Sequence, residues 1–516
     1  MTKAIPQSSL SRRDFLKHSS AAALAGTAVA TGCSGRAPVV TPVITEASQQ
    51  PPLLLYTNAQ HVNPEKGTVT PGWTLLVAGG RIIYSGPDKP FPDIQAQRID
   101  LNGHYILPGL MDAHCHMTLP SASSFSTGIT LATWRQLRKN FENQLASGVT
   151  HVRDMGAMAP LLHTLMGEVK KGELAGPDVI FCNAIFNVDG GHPELSPSDI
   201  SWIAGLGSLF TGAPTVAFEK GDLASAFKAN CQGTHFVKIT MDDTSLIAGK
   251  PSINRYSDEQ MATIFRLAEA SGQPVAAHAM RRFGVKRALE YPVHSLEHTV
   301  SDGPLDEAIL RKMADKRVSV VPTTIFGNLY TFTDHADPTP EHLVSEAALS
   351  EAPIREAYLA SISEEDVEPA IHQNNLAMLE KMRRYTSAEL YKRGDYTFNP
   401  HQYFPILTHG RANLMRMKDA GVRIGCGTDA GVPLNYHGTL VREMQCMTRL
   451  GFTNAEVLTC ATLNNAHIMG IEDDAGTLDE GKRADFITMV DNPLENLDAL
   501  NHLSLIVKNG QGYKKT

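Results

Sequence analysis

None of the chain's apolar runs reaches the ~18 residues of a confident membrane-spanning helix, so no spanning segment is read from it. There is no surplus of basic residues either. Lys and Arg number 46 against 54 Asp and Glu, a net charge of −8 with no basic stripe, which argues against a nucleic-acid partner. Cysteine is sparse: apart from Cys33 there are Cys115, Cys182, Cys231, Cys426, Cys446 and Cys460, with no C-x-x-C spacing. That scatter excludes a zinc ribbon and a dense disulfide scaffold. Cys115, Cys182 and Cys426 lie in or beside apolar runs, where a cysteine serves as a small buried hydrophobe. What remains is an ordinary globular profile of 516 residues, 42% hydrophobic and 19% charged, long enough for a large core and more than one domain.

Residues 1–33 read as a targeting segment and are set apart from the fold. Ser11-Arg12-Arg13-Asp14-Phe15-Leu16-Lys17 resembles a twin-arginine export signal, and the run Ala21 to Ala30 is mildly apolar. Ala30-Thr31-Gly32-Cys33 resembles a lipoprotein cleavage box, departing from it at Ala30, where leucine is usual. Cys33 is the expected lipidation site; ordinary signal cleavage nearby is the alternative. Either way the mature protein is expected in the periplasm or lipid-anchored to a bacterial membrane. Residues 34–52, rich in Pro, Thr, Ser and Gln without periodicity, read as a tether.

The rest is organised around Pro108-Gly109-Leu110-Met111-Asp112-Ala113-His114-Cys115-His116. The apolar run Tyr105 to Met111 predicts a buried strand that stops at Asp112. In extended backbone, residues i and i+2 point the same way. His114 and His116 can therefore present two imidazoles, common ligands of divalent metals, to one point. The rival is a pair of polar histidines closing a strand. Cys115, between them, points to the opposite side and is not read as a nucleophile.

Short strands fill residues 53–106, with a hairpin turn at Ala78-Gly79-Gly80, and the same grammar returns in 471–516, with strands Asp485 to Val490 and Leu503 to Lys508. The two ends are expected to meet in one small β-sandwich. Between them, over 107–470, strands and helical patterns alternate, which argues for a parallel sheet with helical crossovers. The strands fall at Tyr105 to Met111, Val149 to Asp154, Val179 to Asn183, Phe236 to Ile239, Val275 to His278, Val293 to Glu297, Val318 to Pro322 and Val422 to Cys426. Eight of them suggest a closed α/β barrel, the (β/α)8 TIM barrel, whose reactive residues sit at strand C-termini. The polar residues fall accordingly: Lys238 within strand four, His278 ending strand five, His298 ending strand six and Asp429 following strand eight. Arg153 and Asp154, ending strand two, are read as a rim ion pair or outer support. Residues 325–410 form a long insertion whose core, Glu341 to Arg393, is helical in pattern, with Glu364-Glu365-Asp366 as an acidic face. It is too long for a plain loop and stands where it would cap a pocket.

These motifs resemble the amidohydrolase superfamily over nearly all of the mature chain: Pro-Gly-Leu-Met-Asp-Ala-His-Cys-His, the Lys238 strand, His278, Ser-Leu-Glu-His298, Gly-Thr-Asp429 and the tail Gly481-Lys482-Arg483-Ala484-Asp485-Phe486. Gly148 to Asp154 and Asp189-Gly190-Gly191-His192 most resemble its imidazolonepropionase-like and Xaa-Pro or Xaa-Arg dipeptidase branch. The resemblance implies two divalent ions, zinc being expected. His114, His116 and Asp429 would hold one, His278 and His298 the other, and Lys238 would bridge them as a carbamate formed with carbon dioxide. A lysine inside an apolar strand needs some partner, since burying its charge is costly; a carboxylate such as Asp242 is the rival to the carbamate. In this reading the metals share a hydroxide that attacks a carbonyl, and Asp429 serves as general base and then acid. His192 and His437 are substrate-contact candidates, with solvated loop histidines as the rival reading.

The expectation is an exported, metal-dependent hydrolase of an amide bond in a dipeptide or N-acyl amino acid, assembled as a homo-oligomer. Cyclic-amide hydrolysis of the imidazolonepropionase type, or lactone or ester hydrolysis, on one metal is the alternative. A non-catalytic metal-binding barrel is the alternative of another class, and an intact candidate at every metal position argues against it.

Overall fold

The computed structural model describes residues 40–42, 53–124, 127–188, 191–192, 215–218, 223–244, 253–331, 334–337, 346–393, 395 and 403–515. The export segment, Cys33 and most of the tether lie outside the described residues. So do Asp189, Gly190 and part of the long insertion.

Pro108-Gly109 divides what the apolar pattern presents as a single strand. Tyr105–Pro108 pairs antiparallel with Phe486–Met489 and parallel with Leu54–Asn63, whereas Leu110–Cys115 pairs parallel with Val149–Asp154. Proline has no N–H to give to a ladder, and a Cβ at Gly109 would stand 2.4 Å from Thr150 Oγ1, so the chain changes sheets at a point that tolerates only glycine. The expected strand Tyr105 to Met111 is thus corrected: it is two strands, and the second continues past Asp112. His114 lies within it and His116 just beyond. Continuous apolarity reports burial on both faces, and it carries no mark of which sheet a segment joins.

Both ends of the chain enter one nine-stranded sheet. Its order runs Val40–Pro42, Gln511–Lys515, Leu503–Lys508, Phe486–Met489, Tyr105–Pro108, Leu54–Asn63, Thr68–Ala78, Arg81–Pro87, with Gln97–Asp100 also paired to Leu54–Asn63. The sheet curls until its far strand returns to the C-terminal segment: Ile82 N–H donates to Lys482 O at 2.9 Å and Gly481 N–H to Ile82 O at 2.8 Å. Tyr56, Leu75, Val77, Ile82, Ile106 and Phe486 fill the sandwich so formed. The tether reading is corrected at one point. Val40–Pro42 is a strand, paired antiparallel with Gln511–Lys515, because the open sheet edge offers it backbone partners.

The barrel is assembled from a three-stranded parallel sheet, Leu110–Cys115, Val149–Asp154 and Asp178–Phe181, and a four-stranded one, Val237–Thr240, Val275–His278, Ser295–Glu297 and Ser319–Val321. His235 N–H donates to Phe181 O at 3.0 Å between them. Ile185–Val188 and Thr215–Phe218 add a short parallel pair that the sequence pattern did not reveal. The expected eighth strand, 422–426, makes no ladder. It closes the ring through single bonds: Val320 N–H to Arg423 O at 2.9 Å, Gly425 N–H to Val320 O at 2.8 Å and Ala113 N–H to Cys426 O at 3.0 Å. Amphipathic helices such as Asp258–Ala270, opened by a Ser257/Gln260 capping box, cover the outside. All the described residues belong to one unit, Ala37–Thr516, and none of their helices is long and apolar enough to cross a membrane.

The insertion carries helices of its own, Ile325–Leu329, Glu346–Ser361, Pro369–Arg384 and Ser387–Lys392. Glu364-Glu365-Asp366 is not a helical face; it is the turn between two of them. Ser363 Oγ–H donates to Asp366 Oδ2 at 2.7 Å, and Pro369 opens the next helix, so local turn chemistry overrides the helical pattern there.

Candidate metal centre

The two histidines of the organising stretch are each fixed through Nδ1. That of His114 donates to Glu297 Oε2 at 2.9 Å, and that of His116 to Gly156 O at 2.8 Å. This turns both Nε2 atoms toward Asp429 Oδ1, at 3.4 Å from His114 and 2.9 Å from His116. Neither contact is aligned as a hydrogen bond, and Asp429 Oδ1 is buried with no hydrogen-bond partner. Three ligand atoms within 4.8 Å of one another, buried and unsatisfied by one another, form the donor set a divalent cation completes.

Asp112, inside the strand, locks this half of the site. Its Oδ1 accepts from His114 N–H at 3.2 Å and Thr428 N–H at 3.0 Å, and its Oδ2 accepts from Thr428 Oγ1 at 2.6 Å. Asp429 follows at φ 57° with its N–H on His114 O at 2.6 Å. The approach is close enough that a Cβ at Gly427 would lie 2.7 Å from His114 N.

His298 and His278 form the other half. Their ring centroids are 4.4 Å apart, and His298 is 4.7 Å from His114. His298 Nδ1 lies 2.9 Å from Thr323 Oγ1 and 3.8 Å from Asp429 Oδ2. His298, Thr323 and Asp429 all sit at positive φ, 77°, 46° and 57°. Such backbone is costly for a side-chain-bearing residue and persists where the surroundings over-determine it. His278 Nε2 is buried, 3.2 Å from Asp242 Oδ2 and again without hydrogen-bond alignment.

Lys238 points into the same space. It is 2% exposed, and its Nζ has no hydrogen-bond partner among the described residues. Burial pulls its pKa down to about 8, against the upward pull of Glu297 and Asp429. The rival partner is already committed: Asp242 accepts from Met280 N–H at 2.8 Å and Arg281 N–H at 3.1 Å, and it makes no ion pair with Lys238. An orphaned amine beside these histidines, its cationic form disfavoured by burial, fits a lysine that is to bear a carbamate between two ions.

The expected Arg153–Asp154 pair does not form, because successive strand residues face opposite sides. Arg153 Nη2 lies 2.6 Å from Glu297 Oε1, with its Nε–H on Ala113 O at 2.8 Å. Asp154 instead accepts from Met117 N–H at 2.8 Å and Gly156 N–H at 3.0 Å. Burial pushes Glu297 up, but Arg153 and His114 hold its carboxyl well below the usual range. Glu297 is the site residue that sequence reasoning quoted without giving it a role; the available signal was a carboxylate within an apolar strand, which always requires a partner.

His192 is buried beside His278, ring centroids 5.0 Å apart. His437 is buried near His116, where burial holds its pKa at about 3; it lines a cavity on the barrel's flank. Burial raises the Cys115 thiol well above its ordinary pKa, so it stays protonated. Phe326, Tyr330 and Tyr403 make an aromatic wall that reaches His298, 6.1 Å from the Phe326 ring.

Residues 105–511 match the amidohydrolase family. The chain belongs to the amidohydrolase family. This amidohydrolase is accordingly a metal-dependent hydrolase built on a TIM barrel. It is 36% identical to an imidazolonepropionase of Brevibacillus brevis over 105 residues, which cover 19% of this chain and only 24% of that one. It is 23% identical to a 5-methylthioadenosine/S-adenosylhomocysteine deaminase of Desulforudis audaxviator over 452 residues, 84% of each chain. The crystal structure of a Xaa-Pro dipeptidase with methionine bound in its active site superposes with TM-score 0.63 at 21% identity, covering 90% of this amidohydrolase and all (100%) of that chain.

Proposed function

We propose that this amidohydrolase hydrolyses the amide bond of a dipeptide or N-acyl amino acid with two divalent ions, zinc by preference. His114, His116 and Asp429 would hold one, His278 and His298 the other, with Lys238 as a bridging carbamate. The observation that carries this reading is the buried Lys238 Nζ, without a hydrogen-bond partner, in a site where His278 Nε2 and Asp429 Oδ1 are likewise unpartnered. Ions held there would acidify a water and polarise the scissile carbonyl. Asp429 is ionised at neutral pH: burial raises its pKa, but His114 and His116 hold it at about 2. It accepts the proton of the attacking water and delivers it to the leaving amine. His192 contacts the substrate beside His278, and the aromatic wall takes an uncharged side chain or acyl group. The dipeptidase of shared fold supports this substrate class.

The twin-arginine-like segment and Cys33 support export, with Cys33 as a lipid anchor. A second reading has its own support: His114, His116 and Asp429 suffice for a single ion, and the imidazolonepropionase relative suggests a cyclic amide as substrate. Metal content per chain, measured on protein purified without chelator, separates the two. Two equivalents falling to one or none in Lys238→Ala, with turnover of dipeptides or N-acyl amino acids, is the expected result. One equivalent unaffected by Lys238→Ala transfers the reading to cyclic amides, with 5-methylthioadenosine included in the panel. No metal, even after zinc reloading in bicarbonate, would sink both.

A further inference from the structure

Asp242 is a buried carboxylate whose only ion-pair partner among the described residues is a histidine of the metal centre, His278. It stands two residues beyond the strand Val237–Thr240, and His278 ends the neighbouring strand Val275–His278, in register with Thr240. The two backbones stay together past the ladder. Met241 N–H donates to His278 O at 2.9 Å, and Met280 and Arg281 N–H donate to the two Asp242 oxygens. Helix Arg282–Ala288 leaves room for the carboxylate at Gly284, where a Cβ would lie 2.5 Å from Asp242 Oδ1. The nearby Arg281 guanidinium is turned away, its Nε–H on Asp243 Oδ1 at 2.9 Å. What faces Asp242 Oδ2 is His278 Nε2, at 3.2 Å.

A neutral imidazole carries a proton on one nitrogen and a lone pair on the other, and a metal takes the lone pair. The tautomer therefore decides which nitrogen of His278 can bind an ion. Nε2 is buried, and its neighbour is a carboxylate oxygen, which only accepts. A lone pair on Nε2 would face another lone pair, whereas a proton there finds an acceptor after a small turn of the ring. A buried carboxylate without another counter-charge favours the same placement. We infer that Asp242 is a positioning residue, which holds the proton of His278 on Nε2 and leaves Nδ1 to bind the second ion. His114 is set the opposite way, with Nδ1–H on Glu297 and Nε2 left for the metal. Each half of the centre thus has its own carboxylate behind a histidine. The consequence for metal binding rests on the two-ion reading; the place of the proton does not.

The test uses the full chain, loaded with zinc and carrying isotope-labelled histidine. Long-range proton–nitrogen correlation spectra report which ring nitrogen is protonated and which is metal-bound, the His278 signals being identified by their loss in His278→Gln. A protonated Nε2 and a metal-bound Nδ1 are expected. Asp242→Asn keeps the shape and removes the charge. In competition with a zinc chelator it is expected to bind the second equivalent about tenfold or more weakly and the first as the wild type does, a split that a general loss of structure would not give. A proton on His278 Nδ1 in the wild type overturns the proposal, and so does an Asp242→Asn protein that binds both equivalents undiminished. A wild type that holds a single equivalent removes the two-ion reading and leaves the proton to decide: on Nε2 the role of Asp242 stands, on Nδ1 it falls. The spectra are taken on the wild type, so they decide equally should Asp242→Asn fail to fold.

Discussion

Glu297 gives His114 its direction. The carboxylate takes Nδ1–H of the histidine on one oxygen and the Arg153 guanidinium on the other, so Nε2 is left facing Asp429. Glu297→Gln keeps the shape and removes the charge. The amide can still accept from His114, but it then turns its own N–H toward Arg153, which loses its counter-ion in a buried site. Partners of this kind set the orientation and basicity of a metal-binding histidine, and losing one weakens metal affinity by about 10–100-fold. Titration with zinc against a competing chelator is expected to show that loss, with circular dichroism unchanged; an unaltered affinity would deny Glu297 the positioning role. That the six candidates from His114 to Asp429 gather in one place was legible because each is a ligand type in or just after a barrel strand, in register with the strand–helix alternation. Glu297 was not, because its partner is 183 residues away and its role depends on which strand ends face each other across the barrel. Of the two readings of Arg153 and Asp154, the ion pair fails because strand geometry turns adjacent residues to opposite sides, and outer support is the one that holds, Arg153 acting through Glu297.

The barrel's closing segment shows where pattern and structure part at the scale of elements. Val422 to Cys426 has the composition of a strand, but Gly425 and Gly427 let it approach its neighbours too closely for a regular ladder. Asn465 supplies what the ladder lacks: its Nδ2 donates to Met111 O at 2.6 Å and Cys426 O at 2.7 Å, and its Oδ1 accepts from Cys426 N–H at 2.9 Å. One side chain thus clasps the first strand to the last, directly beneath His114 and Asp429. Asn465→Ala would strand buried backbone groups and is expected to cost about 1–3 kcal/mol, read as a lower denaturation midpoint in urea. Asn465→Asp should be no better, since it accepts from Cys426 but donates to neither carbonyl. Rescue by aspartate would show that only the accepted bond matters. Nothing in the local sequence marks this asparagine, because its partners come from both ends of the barrel. The insertion was legible as helical yet not in its turns, since Ser363 and Asp366 form a local bond that a charge pattern conceals.

At the scale of the whole molecule, the terminal sheet is tied to the barrel by a charge cluster that no motif announced, although the union of the two chain ends in one sandwich was readable from their matching strand-and-turn grammar. Asp178 begins the third barrel strand; Lys508 Nζ reaches its Oδ1 at 2.6 Å and Arg483 Nη2 its Oδ2 at 2.5 Å, both from the C-terminal part of the sheet. Burial pushes the Asp178 carboxyl up, but Lys508 and Arg483 outweigh it and hold the pKa at about 2, below its ordinary 3.8. A carboxylate whose pKa is depressed on folding stabilises the fold fully above its unfolded pKa and loses that contribution as pH falls through the folded value. The window here is therefore pH 4 down to 2. About a third of the side chain is exposed, so solvent screens part of the effect, and the prediction concerns its direction. Asp178→Asn should lower the melting temperature at pH 7, and the gap to the wild type should close as the pH is taken from 4 to 2. A gap of the same size at both ends would mean that Asp178 holds sheet to barrel by packing and hydrogen bonding, with its charge playing no part.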